Sequence, residues 1–169
     1  MGSLIHLNAL ALWLSLSVLL WTAPLCAAPT TGMVSWIYDG DTLMVDGIGK
    51  VRLIGIDTPE REGSARDHYY SQRHQIPPAR LRKIAKAALD FNVRNVKGLQ
   101  VLLEFDEQKK DKFGRTLAYV YLPEGDLLNL LLLKNGLATV YRRFDFRLKQ
   151  KFLAAEKSAR KAKVGIWKQ

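Results

Sequence analysis

The sequence has a single cysteine, Cys26, among 169 residues, so a disulfide framework is excluded and stability must come from core packing and bound ligands. It also has no internal repeat and no low-complexity segment. Hydrophobic residues make up 48% of the chain and charged residues 25%, close to the average for soluble globular domains. This composition excludes a disordered or collagen-like chain, and the length suits one domain.

Charged residues are absent before Asp39, whereas 26 Lys and Arg and 16 Asp and Glu follow, for a net charge of +10. Residues 4–21 form an apolar run, and the small residues at 22–28 are typical of a signal-peptide cleavage region. We therefore predict a signal peptide over residues 1–28, export to the medium or periplasm, and a folded domain over residues 31–169. An uncleaved membrane anchor with the domain outside the cytoplasm is the alternative, because the run is long enough to span a bilayer.

Alternating apolar residues separated by turn sequences such as Asp46-Gly47 predict an antiparallel sheet at the start of the domain. Apolar residues at helical spacing predict three helices, from Pro78 to about Gly98, from 127 to 135 and from 148 to 162. This order of elements predicts an α+β domain built on a small Greek-key barrel. The predicted strands cover residues 33–38, 43–45, 51–56, 99–105, 116–122 and 137–140.

Two acidic residues, Asp39 and Asp41, stand two positions apart at the end of a predicted strand. Side chains alternate along a strand, so both carboxylates point to the same side. Such a pair repels unless a cation is near. The pattern is compatible with a metal site and also with a solvated turn.

A second acidic group follows an apolar strand that begins with Arg52 and leads to Asp57 and Glu60, on either side of Thr58. Oxygen ligands without Cys or His favour Ca²⁺ or Mg²⁺ over Zn²⁺. Strict alternation would place Arg52 and Asp57 on opposite faces. A shared site therefore requires a bulge or bend, which we expect at Gly55.

A second arginine, Arg115, stands just before a later strand, and together these side chains supply what phosphodiester hydrolysis needs. A metal at Asp41 and Asp57 would polarise a phosphoryl oxygen. Arg52 and Arg115 would bond to phosphate oxygens and offset transition-state charge, and Glu60 would accept a proton from water. The net charge of +10 suits a polyanionic substrate.

Five stretches carry a resemblance that covers nearly the whole domain: Asp39 to Thr42, Val51 to Glu60, Asp111 to Tyr121, Leu130 to Ala138 and Gly165 to Trp167. In this order they resemble the staphylococcal nuclease (thermonuclease) family. The resemblance implies an OB-fold, a five-stranded Greek-key β-barrel, with three α-helices. It also implies a Ca²⁺-dependent nuclease that acts on DNA and RNA and leaves 3′-phosphates.

Position by position, the resemblance implies calcium ligands, a residue behind them and a catalytic set. The ligands are Asp41, Asp57 and the backbone carbonyl of Thr58, and Asp39 lies in the next shell. The catalytic residues are Arg52, Glu60 and Arg115.

The chain departs from the family in the cleft that the resemblance implies. Phe113 replaces a tyrosine that helps to hold a phosphate, and the segment from Arg61 to Pro78 is longer than the family's loop. We expect this segment to be a loop with exposed histidines, and its Tyr69-Tyr70 pair to be a lid element or loop packing.

Three further residues are expected nucleic-acid contacts: Lys112, Tyr141 and Arg142. Tyr141 would stack on a base or pack inside the domain, and Arg142 would reach a phosphate. A monomer that prefers single-stranded DNA or RNA and needs no protein partner fits these features.

The competing hypothesis is a catalytically silent OB module that binds single-stranded nucleic acid. An envelope-anchored scaffold is a third option, which would explain the leader but not the site. The sequence favours the enzyme, because a binding module has no need for Asp41, Asp57 and Glu60, which repel a polyanion.

Overall fold

The computed structural model describes residues 30–168, so the predicted signal peptide or anchor and Cys26 lie outside the described residues. Within this range no helix combines the length and apolar character needed to cross a membrane. In chain order the elements are β1 (Thr30–Ile37), β2 (Thr42–Val45), β3 (Gly49–Leu53), β4 (Ile56–Asp57), α1 (Ala65–His74), α2 (Pro78–Asn95), β5 (Gln100–Glu104), β6 (Thr116–Tyr121), α3 (Leu128–Lys134), β7 (Thr139–Val140) and α4 (Lys149–Lys161), followed by a 3₁₀ helix at Gly165–Trp167.

Five of these strands close into a barrel in the order β1-β2-β3-β6-β5, and β1 pairs with β5 to complete it. All neighbours are antiparallel except β3 and β6, which run parallel. The predicted α+β domain with an OB-type barrel is confirmed. Strands β4 and β7 form a separate two-stranded sheet that pairs Asp57 with Thr139.

The barrel interior is filled by side chains that alternate along the strands, as the sequence predicts. Val34, Leu43, Val51 and Leu53 are all buried in one continuous core. Full burial of each such side chain contributes roughly 1.5–3 kcal/mol. The strand predicted over residues 51–56 is interrupted, because Ile54 and Gly55 form a turn between β3 and β4.

Helix α2 covers the open side of the turn between β1 and β2. It begins after Pro77, with Pro78 at a position where the missing N–H costs nothing. Its buried stripe includes Leu81, Ile84 and Ala88, as the spacing predicts.

The structure corrects one prediction, since the segment from Arg61 to Pro78 is not a loop throughout. Helix α1 occupies its centre, and the oxygen of Ser64 caps it by accepting from the Arg66 N–H. Residues 30–168 therefore contain four α-helices, whereas three were predicted. His68 is exposed, but His74 is half-buried between Tyr69, Tyr70 and Trp167, so its predicted exposure is wrong.

Candidate active site

Asp41 lies in the turn between β1 and β2, which helix α2 holds in place. The Asn92 side-chain amide donates to the Gly40 carbonyl at 3.0 Å, and a Cβ on Gly40 would approach atoms of Ala88 and Thr58 to 2.7 Å. The buried Asp41 carboxylate accepts from both the N–H and the hydroxyl of Thr58, at 2.9 and 3.0 Å. These contacts fix the carboxylate in one orientation.

Asp57 reaches the same place because the chain turns at Gly55. This glycine has φ +73°, a conformation that other residues rarely adopt, and the expected bend is therefore present. The Arg52 guanidinium bridges the two carboxylates, with Nη1 at 2.6 Å from Asp41 Oδ1 and Nη2 at 3.3 Å from Asp57 Oδ1. Arg52 and Asp57 thus share one site although strict alternation would separate them.

The pKa values of two carboxyls in this site, Asp39 and Asp57, are raised. Burial, and then the charge of Asp41, raise the pKa of Asp39 to about 6. Burial and Asp41 likewise raise the pKa of Asp57 to about 6, against the opposing charges of Arg66 and Arg52. For both carboxyls burial is the largest cause of the raised pKa, and the charge of Asp41 is the next.

Two side chains from α1 contact Asp57: Arg66, which the sequence did not indicate, and Tyr70, which it indicated only as a lid element or loop packing. The Tyr70 hydroxyl donates to Asp57 Oδ2 at 2.9 Å, and its side chain is 1% exposed. Arg66 Nη2 lies 2.7 Å from the same oxygen. Arg66 and Tyr70 are four residues apart and so share one face of a helix, a signal visible only once the helix itself is recognised.

Arg115 lies opposite Arg52, since β6 runs parallel to β3 and starts beside it. Its Nε and Nη2 each lie 2.7 Å from Asp111 Oδ2, and Nη1 approaches the Thr42 hydroxyl at 3.4 Å. The carboxylate of Asp111 thereby holds the guanidinium in place. The cleft has a volume of about 470 Å³ and is lined in part by Arg52, Arg66, Lys112, Phe113, Arg115 and Tyr141.

Three other predicted site residues, Glu60, Tyr141 and Arg142, lie in three different surroundings. Glu60 is exposed just beyond Pro59, and it makes no ion pair or hydrogen bond with any residue of the range 30–168. Tyr141 lies in the cleft with its ring 5.6 Å from the Arg66 guanidinium. Arg142 instead pairs with Glu156 and lines a different cavity.

The oxygen donors of this site suit a hard divalent cation. Within residues 30–168 no group of three or more His, Cys, Asp or Glu side chains is arranged to hold a metal ion. The implied set, however, needs only two carboxylates, Asp41 and Asp57, completed by the Thr58 carbonyl, which accepts no hydrogen bond from the described residues. Calcium favours such carboxylate and carbonyl ligands, so the residues fit the ion, and Arg52 contacts the same two carboxylates.

Known proteins of similar sequence include two thermonucleases and an endonuclease. The chain is 37% identical over 135 residues to a thermonuclease of Staphylococcus hyicus, covering 78% of this chain and 72% of that protein. It is 36% identical over 140 residues to a thermonuclease of Staphylococcus intermedius, covering 80% and 74%. Endonuclease YncB of Bacillus subtilis is 33% identical over 135 residues, covering 76% and 57%. Residues 50–169 match the model of the family described as "Staphylococcal nuclease homologue", and the chain belongs to that family.

Proposed function

We propose that this protein is an exported, calcium-dependent nuclease that hydrolyses DNA and RNA as a monomer, prefers single strands and leaves 3′-phosphates. That it is a phosphodiester-hydrolysing nuclease follows from its family and from relatives named thermonuclease and endonuclease. The observation that carries the mechanism is the cleft lined by Arg52 and Arg115, where Arg52 also pairs with the carboxylates of Asp41 and Asp57.

The two arginines perform the phosphate chemistry in this proposal. Each guanidinium can donate two parallel hydrogen bonds to phosphate oxygens and stabilise the charge that grows in the transition state. Asp111 and Thr42 hold Arg115 ready for this role, and Asp41 and Asp57 hold Arg52. Because these positions are set before substrate binds, little reorganisation is needed during the reaction.

Asp41, Asp57 and the Thr58 carbonyl would hold the calcium ion, with Asp39 behind them. When bound, the ion supplies Lewis-acid activation of the phosphate and of the attacking water. Glu60 takes the water proton, and its exposed carboxylate is free of competing partners among residues 30–168. Lys112 and Tyr141 contact the polynucleotide along the same cleft.

The leader supports export as part of the proposal. Residues 1–28 would be removed as a signal peptide, or would anchor the domain outside the cytoplasm. Sizing the exported protein by mass spectrometry distinguishes the two, because cleavage after Ala27 or Ala28 removes Cys26 together with the apolar run.

The test of this function is degradation of single-stranded DNA by the protein without residues 1–28, at alkaline pH, with calcium or with EGTA. Arg52→Ala and Arg115→Ala should each lower turnover about 10²-fold or more, as removal of a preorganised donor does. Arg94→Ala, an exposed arginine on α2, is the control and should retain turnover. Binding without any calcium-dependent cleavage would instead support the silent OB module.

A further inference from the structure

A second cavity, of about 640 Å³, lies between α1 and α4 and is distinct from the cleft lined by Arg52 and Arg115. It is lined by one carboxylate and a cluster of basic side chains, among them Arg73, Arg142, Lys157 and Arg160. The residues that line this cavity have no part in the proposed hydrolysis. Their clustered positive charge therefore needs a separate explanation.

The carboxylate in this cavity, Glu156, already has hydrogen-bond and ion-pair partners within the fold. Its side chain is 2% exposed, accepts from the Val140 N–H at 2.9 Å, and pairs with Arg142 and Arg160. Arg73 and Lys157 are exposed and form no ion pair with any residue in the described range 30–168. Their two charges are therefore available to an anionic ligand.

Helix α1 connects this cavity to the cleft. Arg66 lines the cleft and Arg73 lines the second cavity, and seven residues of helix place the two side chains on one face, about 10 Å apart along the axis. At a rise of roughly 3.4 Å per nucleotide along the axis of a stacked, B-form strand, this distance corresponds to about three nucleotides. One strand can thus contact both guanidiniums.

A second segment, Tyr141-Arg142, also links the cleft to the second cavity. Tyr141 lines the cleft and the next residue, Arg142, lines the second cavity. Beside the cavity-lining His74, the ring of Tyr69 packs edge-on at 5.8 Å and is 39% exposed, which offers a face for an unpaired base.

We propose that the second cavity is a phosphate-binding site for the part of a single-stranded polynucleotide that extends beyond the cleft. The inference rests on the proposed nuclease function and deepens it, because it makes α1 the element that lengthens the strand-binding surface. It predicts a preference for long strands over short ones, carried by Arg73 and Lys157.

The experiment compares the wild-type protein with the double variant Arg73→Gln/Lys157→Gln in EGTA, where cleavage does not interfere. The ligands are an oligothymidylate of about 16 nucleotides, the upper site size of one OB fold, and a trinucleotide. In the wild-type protein the long strand should bind more tightly than the trinucleotide, and in the variant the ratio of the two affinities should be roughly tenfold smaller. The slope of log K against log salt should become shallower by about 0.7 for each of the two lost contacts.

Two matched variants make the result specific. Lys83→Gln/Lys134→Gln removes two exposed charges elsewhere on the surface and should keep the long-strand advantage. Arg73→Lys/Lys157→Arg preserves both charges in the cavity and should also keep it. Far-ultraviolet circular dichroism and thermal melting verify that each variant folds, as expected for changes at exposed positions.

The other possible results contradict the second site, the nuclease proposal or both. An unchanged advantage and an unchanged salt slope in Arg73→Gln/Lys157→Gln would overturn the second site and leave the nuclease proposal intact if wild-type cleavage persists. Equal losses in the Lys83→Gln/Lys134→Gln control would also overturn it, since only net charge would then matter. Failure of the wild-type protein to bind or cleave either strand would remove both proposals.

Discussion

At the scale of single residues, the buried carboxylate of Asp57 contacts three other side chains of the site. Its carboxylate accepts from Arg52 on one oxygen and from Tyr70 on the other, where Arg66 also pairs. Burial first, and then the charge of Asp41, raise the pKa of Asp57 to about 6 although Arg66, Arg52 and Tyr70 each lower it, so these partners help to keep the carboxylate charged. Tyr70 is the neutral member of the set, which lets its contribution be measured without changing the net charge.

The substitution Tyr70→Phe removes only the hydroxyl that donates to Asp57 Oδ2. We expect calcium affinity to fall about 10- to 100-fold, because partners that orient a ligating carboxylate typically contribute that much. Calorimetric titration of the protein with calcium measures this directly, without reference to cleavage.

Tyr69→Phe is the matched control for this experiment. Tyr69 is adjacent to Tyr70 and partly exposed, and its hydroxyl makes no hydrogen bond within residues 30–168. Its removal should leave calcium binding at the wild-type value. Equal affinity of Tyr70→Phe and wild type would show that the hydroxyl serves packing alone.

At the scale of elements, the break between β3 and β4 decides whether the site assembles. Gly55 has φ +73°, and a Cβ at this position would lie 2.5 Å from the ring of Phe146. The short strand β4 that follows pairs with β7 and presents Asp57 to Arg52. A bulkier residue at the break must therefore move either the ring or the strand.

We expect Gly55→Ala to lower the free energy of unfolding in two additive ways. The left-handed backbone costs of order 1–3 kcal/mol for a residue with a Cβ, and overpacking against Phe146 costs about as much again. Gly47→Ala isolates the first effect, since Gly47 has φ +77° and open space around it. Urea unfolding of both variants should show the larger loss for Gly55→Ala, and equal losses would contradict the clash.

Elements defined by local patterns could be predicted from the sequence. The barrel strands alternate, and α2 and α4 carry apolar stripes, so periodicity alone located them. Helix α1 has no such stripe, since Tyr70 is its single buried residue in the described structure, and polar composition made it indistinguishable from a loop. Its N-cap, Ser64, was the one local signal of a helix start.

The same distinction applies to the site. The prediction of a bend at Gly55 followed from the two-residue period of a strand. The bend is present, and it places Arg52 beside Asp57. The contact of Tyr70 with Asp57 depends on how α1 packs against the barrel, which no local pattern encodes. The partner of Arg142 was missed for a similar reason, because Glu156 lies on another helix.

At the scale of the whole molecule, residues 30–168 contain no cysteine, so packing and buried polar contacts must hold the elements together. Glu156 is the one acidic residue of α4 (Lys149–Lys161), is 2% exposed, and joins this helix to β7 by accepting from the Val140 N–H. Because β7 pairs with β4, the contact also supports the strand that carries Asp57. Loss of its charge should therefore affect stability globally.

The substitution Glu156→Gln should lower the free energy of unfolding at pH 7 by roughly 1–3 kcal/mol, because two arginines lose their buried partner. Burial alone would raise the pKa of Glu156, but hydrogen bonds from Arg142 and Val140 outweigh it and hold the pKa below the ordinary value of 4.5. A lowered folded-state pKa stabilises the fold above that ordinary value, and this contribution is lost as the pH falls through the folded-state pKa.

The difference between wild type and Glu156→Gln should consequently be large at pH 7 and shrink as the pH falls below the ordinary value of 4.5 and then through the lower folded-state pKa of Glu156. Urea unfolding across this pH range measures it, with Glu124→Gln at an exposed turn as the control that should track the wild type throughout. A difference that stays constant down to acid pH would mean that the shape of the side chain matters and its charge does not.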